Sequence, residues 1–276
     1  MFSDIHVHHQ PSEKEVDTSK LLSAMDSAGV EKVAVFSWYG SSLEEQEENI
    51  KQVGKIVAKA PDRLYGVAWI EPGHGTKLEF LVDLVERCKF RGFKMIPTGW
   101  YPYEDKILSY CQTMAELNTP CLFHSGILYF GSLSSKCCRP VFYENCLKIA
   151  RFRFALAHVG WPWTDECIAL YGQWRSLFRK GEITSRLFLD ASPGVPPAWR
   201  KDVFEKLVAF GADEDLIFGT DWLITGEQAE NNYLSLISHW KDFSQKEKDL
   251  AEKTGFSEKS LTNFFTTNFN RFFSGE

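Results

Sequence analysis

Eight short apolar runs recur along the chain, each followed by a longer amphipathic stretch, at a period of roughly 30 residues. The runs cover residues 2–7, 32–36, 64–70, 92–96, 120–124, 152–158, 186–190 and 216–220. Most are continuously apolar rather than alternating, which is the pattern of parallel strands covered by helices. The stretches between them carry helix signals. Asp17 is placed to cap a helix over 18–28, with Gly29 just past its end. A second helix is expected over 43–60, stopped by Pro61. Thr76 and Glu79 have the form of a capping box ahead of LEFLVDLVERC. Further helices are expected over 105–117, 141–150, 165–179, 198–210 and 227–240. Eight alternations predict an α/β fold, either a closed (β/α)8 TIM barrel or a large doubly wound sheet. The length of 276 residues suits one barrel domain over 1–276, and also two smaller domains. Residues 244–276 are left over and are expected to add C-terminal helices. There Phe265, Phe269 and Phe272 share one helix face, which predicts a core stripe.

Charge and composition exclude some partners. The net charge is −6 and the basic residues are scattered, so no nucleic-acid footprint is expected. No run of about 18 apolar residues is present to cross a membrane. The opening MFSDIHVHHQ lacks a basic segment followed by an apolar one, so no secretion signal is expected. Seven cysteines without a CxxC pair read as reduced thiols in a cytoplasmic protein.

In a barrel the C-terminal strand ends and their loops build the site. Four of the seven histidines fall there: His6 and His8 on the first run, His124 on the fifth and His158 on the sixth. Lys94 lies on the fourth run and Asp221 just after the eighth. Strand periodicity puts Asp4, His6 and His8 on one face. Neutral imidazoles and a carboxylate suit a divalent ion, zinc first, with Mn, Fe or Co as alternatives. An ion with an open position lowers the pKa of its water to about 7. A further histidine can then move protons. Asp4 is expected to orient a ligand or a strand end. His9, His74 and His239 read as bystanders, and Cys137 and Cys138 as structural. Lys94 and Arg139 are candidate anchors for a substrate carboxylate, although Arg139 reads equally as a surface residue. Trp38, Trp100, Trp161 and Trp222 read either as walls of a flat apolar pocket or as packing between loops.

The segments DIHVHH, GFKM, CLFHSG, LAHVGWPW and FGTDW, in that order, resemble the amidohydrolase superfamily. The likeness is greatest to the amidohydrolase-related branch that includes aminocarboxymuconate semialdehyde decarboxylase, and it extends to the closing NFNRFF. The resemblance implies metal ligation by His6, His8 and His124, with Asp221 as ligand or base and His158 as a catalytic group. A binuclear variant would add Lys94, carboxylated, and His158 as ligands. A metal-free variant would leave Asp221 as general base in a lactone hydrolase. The expected reaction is hydrolysis of an amide, lactone or ester bond in a small molecule. Non-oxidative decarboxylation of an unsaturated or aromatic acid is the alternative. The branch also implies a possible homodimer.

Overall fold

A computed structural model describes residues 1–129, 133–227 and 230–275. Its strands are β1 (Phe2–His9), β2 (Val30–Phe36), β3 (Leu64–Trp69), β4 (Gly92–Met95), β5 (Cys121–Phe123), β6 (Arg153–Leu156), β7 (Arg186–Asp190), β8 (Leu216–Ile217) and β9 (Trp222–Ile224). All pair in parallel, in the order β8-β7-β6-β5-β4-β3-β2-β1-β9. The sheet curls until its last strand meets its first. Beyond β8, the Ile5 amide donates to the Phe218 carbonyl at 3.1 Å. Further along, Val7 pairs with Trp222 of β9. Thus β8 and β9 are two pieces of one broken eighth strand, and the fold is the expected (β/α)8 barrel with C-terminal helices.

The helices are α1 (Thr18–Ala28), α2 (Leu43–Val57), α3 (Leu78–Glu86), α4 (Asp105–Glu116), α5 (Ser134–Cys137), α6 (Thr164–Arg179), α7 (Pro197–Phe210), α8 (Glu230–Thr254), α9 (Glu258–Thr262) and α10 (Asn268–Ser274). Asp17 caps α1 through the Lys20 amide, and Gly29 ends it in the left-handed region, as its sequence signals predict. Among the described residues no helix is long and apolar enough to cross a membrane.

Four local expectations differ from the structure in part. The Thr76–Glu79 capping box does not form, because α3 starts at Leu78 after an uncapping Lys77. The buried Thr76 hydroxyl instead accepts from Gln46 at 3.0 Å. The α-helix expected over 141–150 is a 3₁₀ segment, Pro140–Lys148. Every third residue, Pro140, Tyr143 and Cys146, faces the interior, which is the 3₁₀ repeat. The sixth strand stops at Leu156 and His158 sits in a turn beyond it. The helix expected over 227–240 and the segment after it are one long α8 running to Thr254; positions 228–229 lie outside the described residues.

Two cores flank the sheet. The larger lies between strands and helices. The smaller fills the barrel, where Ile5, Phe36, Tyr65, Leu122, Phe188 and Ile217 pack around small alanines. Phe269 and Phe272 of α10 join this inner core, so the C-terminal helix plugs the barrel floor. Phe265, half-buried, packs edge-on to Phe2 from outside. Removing a fully buried aromatic ring from a core costs about 3–5 kcal/mol. Phe269→Ala is therefore expected to lower the unfolding free energy by about that amount in a urea titration, and Phe265→Ala by clearly less.

Candidate active site

The mouth of the barrel is shaped by an irregularity in β1. Between Asp4 and Val7, β1 advances three residues while β2 advances two, from Val33 to Val35. That extra residue is a bulge, and it reverses the inside–outside alternation. Ile5 joins the inner core, and His6 and His8 line the mouth cavity. Asp4 faces the other way, toward α8, which corrects the expectation that it shares a face with the histidines. Its buried carboxylate accepts from the His6 and Thr220 amides at 3.1 and 3.0 Å, the Thr220 hydroxyl at 2.6 Å and the Trp240 indole at 2.9 Å. Burial nonetheless pushes its pKa up to about 6.

Asp4 thereby grips the break in the eighth strand. Gly219 passes so close to β1 that a Cβ there would stand 2.9 Å from the His6 Cβ. Asp221 follows in the left-handed region, φ 51°. That conformation is uncommon for a residue with a side chain and costs about 1–3 kcal/mol. It turns the carboxylate back toward β1. Asp221 Oδ1 lies 3.4 Å from His6 Nε2 and 3.3 Å from His8 Nε2, and the two nitrogens are 3.2 Å apart. Burial alone would raise the Asp221 pKa, but the imidazoles of His6, His8 and His158 outweigh it and hold the group ionised. Burial, and then the Lys94 ammonium, keep the His6 ring neutral, well below its ordinary value.

A near-equilateral triangle of three lone-pair donors has a simple occupant. Donors that share one divalent ion at about 2.0–2.1 Å stand roughly 3–3.5 Å from one another, whether the ion takes four ligands or five. His6, His8 and Asp221 therefore fit a divalent cation. His124 Nε2 is buried and has no protein partner, and its ring lines the same cavity. Burial, reinforced by His158 nearby, keeps that ring neutral as well. His158 lies beside both, its ring centroid 5.4 Å from His6 and 5.0 Å from His124. Its backbone is left-handed, φ 58°, as is that of the β-branched Val159, φ 47°. Lys94 is buried with Nζ 3.4 Å from His6 Nε2, and burial brings its pKa down to about 8.

Two residues of this site were not singled out from sequence. Asp190 ends β7 and accepts from His6 Nδ1 at 2.7 Å. A carboxylate on one imidazole nitrogen leaves the other as a lone-pair donor, the usual support of a metal-binding histidine. The strand-end criterion that found His124 applies equally to Asp190 in FLDAS. Ser192 joins Asp190 to His158, and no sequence motif marks it.

The cavity holds about 670 Å³ and is walled by Trp38, Tyr39, Trp69, Ile96, Ile127 and Leu128, among others. Of the four tryptophans named from sequence, Trp38 lines it. Trp100 is buried and donates to Glu71 at 2.9 Å. Trp161 packs against Trp199, and Trp222 stacks on His239 at 3.7 Å. None of these three is among its lining residues. Arg139 is also outside, ion-paired with Glu166. Strand-end position places a loop near the mouth, but side-chain direction depends on what the loop packs against.

The model of the family described as amidohydrolase matches residues 3–257, and the chain belongs to that family. No curated protein matches it in sequence. Among solved structures it is similar to a probable 2-pyrone-4,6-dicarboxylic acid hydrolase from Acinetobacter baumannii, with 14% identity, 99% of each chain covered and a TM-score of 0.67. It is also similar to 2,6-dihydroxybenzoate decarboxylase from Rhizobium, with 15% identity, 99% of each chain and a TM-score of 0.65. A third is 5-carboxyvanillate decarboxylase from Novosphingobium aromaticivorans, complexed with manganese, with 11% identity, 99% and 96% coverage and a TM-score of 0.61. At these identities the likeness shows the fold.

The grip of Asp4 is testable. Asp4→Asn turns one acceptor oxygen into an amide facing buried donors, at about 1–3 kcal/mol for each donor left unpaired. Denaturant unfolding is expected to show a loss of that order, and metal retention in dialysis is expected to weaken because Asp221 follows Thr220.

Proposed function

We propose that the chain is a divalent-metal-dependent hydrolase acting on an amide, lactone or ester bond of a small, flat, weakly charged molecule. The observation that carries the reaction class is the scarcity of cations in the cavity. Lys94 is the only lysine or arginine among its described lining residues, and it lies deep against His6. Arg139, the other anchor considered for an acid substrate, is taken up by Glu166. A carboxylate substrate desolvated among Trp38, Tyr39 and Trp69 would lack a guanidinium to pair with, and an unpaired buried charge is costly.

In this reading His6 and His8 through Nε2, His124 through its unpartnered Nε2, and Asp221 hold the ion. Bound there, the ion supplies Lewis acidity, polarising a carbonyl oxygen and making water more acidic at neutral pH. His158 moves the proton at the reacting centre. Asp190 holds His6 in the tautomer that presents Nε2 to the ion. Trp38, Tyr39 and Trp69 bind the flat substrate and exclude bulk water. Lys94 contacts the substrate oxygen nearest His6.

Elemental analysis of protein purified without chelator is expected to find about one divalent ion per chain, falling to traces in His8→Ala and Asp221→Asn. Two ions per chain would make Lys94 and His158 ligands. None, even after soaking in Zn²⁺ and Mn²⁺, would overturn the metal reading in favour of a metal-free lactone hydrolase with Asp221 as base. With a panel of aryl lactones, esters and amides, hydrolysis is expected. His158→Asn should keep the metal and lower kcat by about 10²–10⁴-fold, the usual worth of a positioned proton carrier. Carbon dioxide release from 2-hydroxybenzoate or muconate-type acids, without hydrolysis, would show the decarboxylase reading to be the right one.

A further inference from the structure

His158 has a second neighbour set, on the side away from the cavity. Its Nδ1 lies 3.1 Å from the Ser192 hydroxyl and 3.4 Å from the Ser192 carbonyl. The same hydroxyl donates to Asp190 Oδ2 at 2.8 Å and stands 3.0 Å from His6 Nδ1. Asp190 in turn accepts the Ser192 amide on Oδ1 at 2.7 Å and His6 Nδ1 on Oδ2 at 2.7 Å. All four side chains are buried.

Counting protons settles the direction of each bond. Asp190 is met by three donor groups, the Ser192 amide, the Ser192 hydroxyl and His6 Nδ1, which is the surrounding of an ionised carboxylate. Ser192 has one hydroxyl proton, and Asp190 takes it. Its oxygen then faces His158 with lone pairs only. The carbonyl of Ser192 is also purely an acceptor. Both neighbours of His158 Nδ1 therefore require a proton on that nitrogen. The reverse arrangement, with Ser192 donating to His158, would set the lone pairs of the hydroxyl and Asp190 Oδ2 against each other at 2.8 Å, or would require a neutral Asp190.

We propose that Ser192 is a positioning residue that extends the charge of Asp190 to His158, holding the ring proton on Nδ1 and leaving Nε2 bare toward the cavity. One carboxylate thus sets the tautomers of two histidines, His6 directly and His158 through a hydroxyl. The loop after Ser192 is shaped for this. A Cβ on Gly194 would lie 2.5 Å from His158 Cβ and Cγ and 2.8 Å from Nδ1, so only glycine lets the loop close over the ring. A bare Nε2 can take a proton but has none to give, so His158 enters the reaction as a proton acceptor. When Nε2 is protonated, both ring nitrogens become donors and Asp190, reached through Ser192, steadies the cation. This consequence for catalysis rests on the hydrolase reading; the tautomer does not.

The test is nitrogen-15 NMR of histidine-labelled, zinc-loaded full-length protein, with His158 assigned by the loss of its signals in His158→Asn. The expected wild-type pattern is a protonated Nδ1 and a bare Nε2. Ser192→Ala is expected to give a mixture of tautomers or a proton on Nε2. It should also lower kcat by about 10–100-fold with KM nearly unchanged, the range seen when the partner that orients a metal-binding histidine is removed. Ser192→Thr, which keeps the hydroxyl, should restore both. A wild-type proton on Nε2 would overturn the proposal even if Ser192→Ala failed to fold, and so would an unchanged pattern in a folded Ser192→Ala. The expected tautomer in a protein without hydrolase activity would leave the proposal standing and count against the hydrolase reading alone.

Discussion

The carboxylate of Asp4 is where the barrel closes and where the site begins. Its oxygens take donors from β1, from the break in the eighth strand and from α8. A closed parallel barrel needs its first and last strands side by side, but a continuous eighth strand would carry its side chains past the mouth in strict alternation. The break at residues 219–221 lifts that restriction. Asp4 satisfies the amide and hydroxyl of Thr220 that the break leaves without strand partners, and Asp221 turns back onto His6 and His8. Fold closure and assembly of the donor triangle are thus one event, and a change at Asp4 reaches both.

The same economy governs the electrostatics. The mouth holds four imidazoles, one ammonium and two carboxylates, Asp190 and Asp221, most of them buried. Such a set is stable only if the protons are shared sensibly. His6 and His124 are kept neutral by burial. Asp190 receives donors only. Asp221 Oδ1 faces the Nε2 atoms of His6 and His8 at 3.4 and 3.3 Å. With those two nitrogens 3.2 Å apart, the arrangement fits a divalent cation. The left-handed backbone at His158, Val159 and Asp221 stores strain where the polar groups must point against the run of their strands. The bulge in β1 and the tight approach of Gly219 serve the same geometry.

Much of this was legible in the chain. The eight apolar runs located β1 to β8, because strands buried on both faces read as continuous apolar segments, while β9, past the break at residues 219–221, lies beyond the last run. The capping signals of α1 held because they are local. Strand-end position picked out His6, His8, His124, His158, Lys94 and Asp221, which line one cavity. The same criterion covers Asp190, which ends β7. What escaped was decided across the structure. Asp4 was placed on the wrong face because a single bulged residue inverts a period of two. Trp100 and Trp161 sit on the expected loops and Trp222 opens β9, yet each turns to a partner distant in the chain, Glu71, Trp199 and His239. Thr76 was drawn from its helix cap by Gln46 for the same reason.

The amino-acid sequence by itself determined the class of fold, the order of its elements and the kinds of donor that reach the mouth, since periodicity and local residue type are written along one strand or helix at a time. Only the tertiary structure decided which donors face one another, where the eighth strand breaks and how Ser192 links Asp190 to His158. Those outcomes depend on register between strands distant in the chain, and a one-residue change of register alters every side chain's direction without changing the pattern that predicted the strand.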